Sequence, residues 1–172
     1  MLNFEFAENP TEALRATFRR HASGVAVITT TNEAGAPVGF TATSITSLGA
    51  TPPLVMFSVA RGASSFAAIA QATHVAVHTL GVKNVNLAKR MSEDHTKRFE
   101  PADWASGPEG LPIFDCATSV LICKIRQILN VEANAVVIAD VVDGSIGEMD
   151  EALLYYQRAY QTANPLPEWP SL

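Results

Sequence analysis

The chain has 172 residues, 48% of them hydrophobic and 17% charged, with a formal net charge of −5. That length and apolar content suit a single domain over residues 1–172 with its own core, and the acidic balance excludes the basic stripe expected of a nucleic-acid binder. Residues 1–11 lack a basic and then apolar leader, and no apolar run nears the roughly 18 residues of a membrane span, so a cytoplasmic chain with no membrane partner is expected.

The opening NPTEALRATFRRHASG reads as a helix. Asn9 or Thr11 can cap it, Pro10 and Glu12 suit its first turn, and Leu14 and Phe18 sit four apart on one face. VAVITTT and VGFTATSIT, separated by the turn NEAGAP, predict a β-hairpin. PLVMFSVA predicts a third strand after Pro52 and Pro53. SSFAAIAQA predicts a short helix capped by Ser64 or Ser65, HVAVHTL a fourth strand, and KNVNLAKRMS a second short helix with Val85 or Leu87 and Met91 turned inward. A polar loop rich in Gly and Pro follows from Glu93 to about Pro112; loops of that length are usually functional or mobile. SVLICKIRQILNVE and NAVVIADVVDGSIG are β-type runs joined by a turn near Ala133, EALLYYQRAYQ fits strand or helix, and residues 162–172 read as an extended tail on a core of about 11–161. Many short strands with few helices predict a mainly β fold, a closed or nearly closed barrel with helices at its ends.

The standard catalytic signatures are absent: no Gly-x-Gly-x-x-Gly after a strand, no Walker loop, no His-Glu-x-x-His, no Gly-x-Ser-x-Gly. His74 and His78 have the i,i+4 spacing of a helical metal pair, but in a strand that spacing spans roughly 13 Å, too far to share an ion. Cys116 and Cys123 are too few for a disulfide framework and read as packed, reduced thiols. The hydroxyl-rich VGFTATSIT does not alternate cleanly, so burying one face strands hydroxyls unless a partner such as a polar planar ligand accepts them. At the end of the third strand, Ser58, Arg61, Ser64 and Ser65 gather near a helix start, where backbone N–H groups and a guanidinium suit a phosphate. Equally, Ser64 could simply cap the helix and Arg61 face water.

Taken in order, FRRHASGVAVITT, PVGFTATSITSLGATPPLVMFSV, FAAIAQATHVAVHTLG, NLAKRMS, KRFE, GLPIFDCATSVLICKI, VVIADV and LLYYQRAY resemble the flavin reductase family of FMN-binding split barrels, the reductase components of two-component flavin monooxygenases. The resemblance spans roughly residues 14–160 and implies a split β-barrel, hydride transfer from NADH or NADPH to FMN or FAD, a homodimer with the flavin site at the subunit interface, and a separate oxygenase. It places Pro37, Val38, Gly39, Phe40, Thr41, Ala42, Thr43 and Ser44 along the isoalloxazine and ribityl chain. Ser58, Val59, Ala60, Arg61, Ser64 and Ser65 fall at the ribityl chain and phosphate, with Arg90 near the phosphate, His78 by the flavin and Phe99 beside the rings. Asn134 and Tyr160 fall on the nicotinamide side. No catalytic dyad or metal is implied, because the stacked cofactors carry the chemistry.

The chain departs from the pattern where Glu132-Ala133-Asn134 stands for Gly-Asp-His, where Tyr156 and Arg158 stand for His and Gly, and where His78 stands for Asn. Asn134 keeps a hydrogen-bonding side chain but cannot become a cation. Two other readings stay open on these residues: a protein that holds flavin tightly as an electron carrier, and an FMN-dependent oxidoreductase with a non-flavin substrate.

Overall fold

The structure, a computed structural model, describes residues 8–164; most of the expected tail, 165–172, lies outside them. Helix α1 is Pro10–Arg19, and the strands that follow are β1 Ser23–Gly24, β2 Ala26–Thr31, β3 Pro37–Ala42, β4 Thr46–Ala50 and β5 Pro53–Ala60. Then come α2 Phe66–Gln71, β6 His74–Thr79, α3 Val85–Ser92, β7 Ala105–Ser106, β8 Pro112–Ile113, β9 Ser119–Val131, β10 Asn134–Ile146, β11 Leu153–Tyr156 and β12 Ala159–Thr162. The longer elements thus follow the predicted order; the short strands β1, β7 and β8 are added where a helix end and a loop were expected, and two further changes stand out. The run from Val38 to Thr46 breaks after Ala42 and resumes as β4, and EALLYYQRAYQ is a strand pair.

Local chemistry explains the joints. Asn9 caps α1 by accepting from the Thr11 N–H at 2.8 Å, with Pro10 in the first turn. In the β2–β3 turn, Asn32 Oδ1 accepts from the Ala34 and Ala36 N–H groups and Gly35 takes a φ of 75°. Gln157 and Arg158, with φ of 49° and 64°, make the tight turn between β11 and β12.

Seven strands form one sheet in the order β3-β2-β6-β9-β10-β5-β4, and β1-β11-β12 form a second. The large sheet wraps a core of Ile28, Phe57, Val59, Ile69, Val75, Val77, Cys123 and Val137; each fully buried side chain of this size contributes about 1.5–3 kcal/mol. The barrel does not close. Its edges are β3 and β4, and across the seam Ser44 Oγ accepts from the Ser58 N–H at 3.0 Å and donates to the Ser58 carbonyl at 3.2 Å. The Phe40 and Phe57 rings meet beside this link, 6.3 Å apart. A second cluster of Leu80, Leu87, Met91, Phe114 and Leu153 joins α3 to the small sheet.

Leu14 and Phe18 share a face of α1, as expected, and are 59% and 63% exposed. Two expectations are corrected. Cys116 is exposed ahead of β9 rather than packed; Cys123 is buried, which pushes its thiol up to about 12. The hydroxyls of Thr41 and Ser44 need no ligand: Thr41 donates to the Ala88 carbonyl on α3 at 2.6 Å, and Ser44 is spent on the seam.

Candidate functional site

Beside the seam, β3, β5 and the start of α2 enclose a groove of about 460 Å3. Residues 40–44 form one wall, Ser58, Val59 and Ala60 the other, and Ala63, Ser64 and Ser65 the end, with Met91, Ser92 and Arg98 across from them. Through Ser64 and Arg98 it continues into a second pocket of about 320 Å3 lined by Pro37, Val38, Gly39, His95 and Phe99. Gly39 makes this junction possible, since a Cβ there would lie 2.6 Å from Met91 Cε and 2.9 Å from the Ile28 carbonyl. Of the residues expected at a flavin, 37–44, 58–60, 64, 65 and 99 therefore come together.

Ser65 holds the N-cap position of α2 but makes no capping bond; its Oγ is buried and, among the described residues, has no hydrogen-bond partner. The guanidinium that lines both pockets is that of Arg98, in KRFE, although the sequence reading favours Arg61 and Arg90. Arg98 donates from Nη1 to the Gly39 carbonyl at 2.8 Å and from Nε and Nη2 to the Glu93 carbonyl. Those three bonds leave two of the five guanidinium N–H donors. Burial lowers its pKa, opposed by the charge of Asp94. The signal in the sequence is its place next to Phe99, which stacks on Phe114 at 5.8 Å and meets Trp104 edge-on.

Arg61, Arg90 and His78 lie elsewhere. Arg61 donates to the Glu132 carbonyl at 2.9 Å, over the β9–β10 turn. Arg90 is paired through Nη2 with both oxygens of Asp103, at 2.8 and 2.7 Å, and lies over the Phe114 ring, 5.8 Å from its centroid. His78 is fully buried, with Nδ1 3.1 Å from the Val27 carbonyl and Nε2 3.2 Å from the Phe114 N–H. Those partners assign the neutral tautomer with the proton on Nδ1, and burial lowers its pKa to about 4. With both nitrogens engaged, His78 has nothing left to offer a flavin. Asn134 is exposed opposite Ala60, at the groove end of β5. Tyr160, whose pKa burial raises while Ser92 lowers it, packs against the second core cluster.

A third, wider groove of about 870 Å3 opens on the other side of the seam and shares Thr43, Ser44 and Ser58 with the first. Its outer wall is α1 with Arg15, Phe18 and Arg19, and its far rim is Tyr155, Gln157 and Arg158. Sequence reading missed it because nothing local to α1 shows that the β11–β12 turn lies opposite it.

The residues present fit an FMN-like ligand: an elongated slot between two strands, an orphaned hydroxyl at its end, and a guanidinium with spare donors. Comparison with known proteins agrees. The family described as flavin reductase like domain matches residues 18–164. An NADH:FMN oxidoreductase of Rhodococcus qingshengii is 36% identical over 157 residues, covering 88% of this chain and 81% of that protein. The crystal structure of a flavin reductase domain protein from Arthrobacter sp. FB24 superposes with a TM-score of 0.88 at 46% identity, over 92% of this chain and 98% of that one. A nitrilotriacetate monooxygenase component B homolog from Mycobacterium thermoresistibile gives 0.83 at 28% identity, over 94% and 93%.

Proposed function

The chain belongs to the flavin reductase like domain family, and on that premise we propose that it transfers hydride from NADH or NADPH to FMN or FAD held in the groove between β3 and β5, and supplies the reduced flavin to a separate monooxygenase. The observation that carries this is the groove itself, walled by residues 40–44 and 58–60 and closed at its end by Ser64 and Ser65 with Arg98 across from them. The names of the Rhodococcus and Mycobacterium relatives support the electron route and the oxygenase partner.

When bound, the flavin supplies the hydride-accepting ring and stores the electrons. The chain's own residues do the rest. Ser64, Ser65 and the two free N–H donors of Arg98 hold the phosphate, charge-assisted contacts that anchor one end. Residues 40–44 and 58–60 would hold the ribityl chain and ring edge and so orient the ring toward the nicotinamide. Asn134, at the mouth, offers a neutral hydrogen bond to the nicotinamide side. Tyr160 supports that side from behind Ser92.

Two further parts of the reading concern assembly and place. The chain works as a homodimer, supported by the uncovered Leu14 and Phe18 on α1, and light scattering should give twice the chain mass. It works in the cytoplasm; among the described residues no helix is long and apolar enough to cross a membrane.

The test is oxidation of NADH and of NADPH by purified protein, with and without FMN, FAD or riboflavin. Turnover that requires added flavin is expected. Tight flavin binding without turnover would instead favour an electron carrier, the reading that Asn134 in place of His suits.

A further inference from the structure

Residues 93–104 cross from the end of α3 to β7 and carry Arg98 and Phe99 to the flavin groove, so whatever holds this segment sets where the guanidinium stands. Its backbone bonds are local: the Lys97 N–H donates to the Asp94 carbonyl and the Glu100 N–H to the Lys97 carbonyl, which shapes turns without fixing them to the barrel. Arg98 reaches the barrel at the Gly39 carbonyl, a partly buried bond of 2.8 Å. The far end of the segment is closed by Asp103, both of whose carboxylate oxygens accept from Arg90 Nη2 on α3. Among the described residues the Arg90 side chain has no other hydrogen-bond partner, and its Nε is buried without one. The same guanidinium lies over the buried Phe114 ring, Phe99 stacks on that ring, and Trp104, next to Asp103 in the chain, meets Phe99 edge-on. Asp103, Arg90, Phe114, Phe99 and Trp104 thus make a closed circuit of contacts, and Arg98 is the neighbour of one of its members.

Neither Asp103 nor Arg90 lines either pocket, so any effect of the pair on a flavin is indirect. Their side chains are 47% and 23% exposed, and a pair this open to water adds little to the stability of the whole fold. What it fixes is local. Closing the segment in advance removes freedom that the chain would otherwise lose when a ligand arrives.

We propose that Asp103 is a positioning residue for the flavin site: it holds Arg90 on Phe114 and so keeps residues 93–104 folded with the Arg98 guanidinium ready for the phosphate. The inference rests on the flavin reductase reading. Without the Asp103 carboxylate the flavin itself must order the segment on binding, and a flavin without a phosphate is spared that loss.

The test is fluorescence titration of the full chain with FMN and with riboflavin, comparing wild type with Asp103→Ala, Asp103→Asn, Asp103→Glu, Arg98→Ala and the Asp103→Ala/Arg98→Ala pair. Asp103→Ala and Asp103→Asn should weaken FMN by about fivefold or more, the cost of ordering one or two side chains on binding, with riboflavin changed by less than about twofold and the urea midpoint unmoved. Trypsin should cut after Lys97 and Arg98 faster in these variants than in wild type, because the segment opens locally while the fold stays intact. Asp103→Glu, which keeps the charge, should restore FMN affinity. In the Arg98→Ala background Asp103→Ala should add almost nothing, since residues that act through one group are not additive. Unchanged FMN affinity in both Asp103→Ala and Asp103→Asn, equal loss for FMN and riboflavin, or a loss that adds in full to that of Arg98→Ala overturns the inference and leaves the flavin reading standing. Failure of wild type to bind either flavin removes that reading and the inference with it. Asp103→Asn, of the same size as the native residue, decides the outcome should Asp103→Ala fail to fold.

Discussion

Around His78 and around Ser65 the chain buries polar atoms to nearly the same depth, 0% and 1% exposed, and treats them oppositely. His78 spends one nitrogen on β2 and the other on the segment after β8, so the protein answers every polar atom of the ring. Ser65, at the head of α2, is answered by nothing among the described residues. A buried group fully paired by protein is part of the scaffold, whereas one left unpaired costs stability that only a ligand returns. The contrast teaches that depth alone does not separate structure from site.

The sharpest way to break the contrast is at His78. Its pKa falls from 6.5 unfolded to about 4 folded, so between those values the unfolded chain binds the extra proton. Stability is then full above pH 6.5 and is lost as pH falls through about 4. The 2.5-unit gap corresponds to about 3 kcal/mol. Urea unfolding across that range should show the slope, and His78→Leu should abolish it. That variant should also lose about 3 kcal/mol at neutral pH, because the Val27 carbonyl and the Phe114 N–H lose their partner. Its FMN affinity, measured on the folded fraction, should hold; a parallel loss of binding would mean that His78 belongs to the site after all.

Next comes Arg98. Arg98→Ala should weaken FMN by about 1.5–3 kcal/mol, the range for a hydrogen bond to a charged group, and leave riboflavin, which lacks the phosphate, far less affected in fluorescence titrations. Equal loss for both flavins would place Arg98 as a brace for the loop through Glu93 and Gly39 only. Ser65→Ala is the milder partner: about 1 kcal/mol weaker FMN binding with thermal stability unchanged or slightly raised, since an unpaired hydroxyl is removed. A stability loss in that variant would show that the hydroxyl had a protein partner. Smallest of all, Arg61→Ala should change FMN binding by less than about 0.5 kcal/mol, as expected of a surface substitution away from the site; a larger effect would restore the phosphate role expected from its sequence position.

The strand order along the chain was legible because β-branched runs and turn residues carry it locally, as in VAVITTT-NEAGAP and the β9–β10 pair. The backbone walls of the groove, 37–44 and 58–60, were legible through the resemblance. The charged residues were not. Whether Arg61, Arg90 or Arg98 reaches the groove depends on which carbonyl or carboxylate lies nearer, Glu132, Asp103 or Gly39, and these partners are 13 to 71 positions away. The break after Ala42 was equally hidden, because it goes with the bonds of Ser44 to Ser58 on β5, a partner 14 positions away.

The two edge strands of the large sheet, β3 and β4, are separated in sequence by residues 43–45 alone, so a link of three residues spans the gap between its edges. In evolutionary terms those three positions are fixed in number, and Ser44 is held in kind by its bonds to Ser58. An insertion there would part the seam and both grooves that share it, while the two-residue turn between β9 and β10 could lengthen at the surface without touching either. Related chains should therefore differ in length at the hairpin tip and hold it constant at the seam.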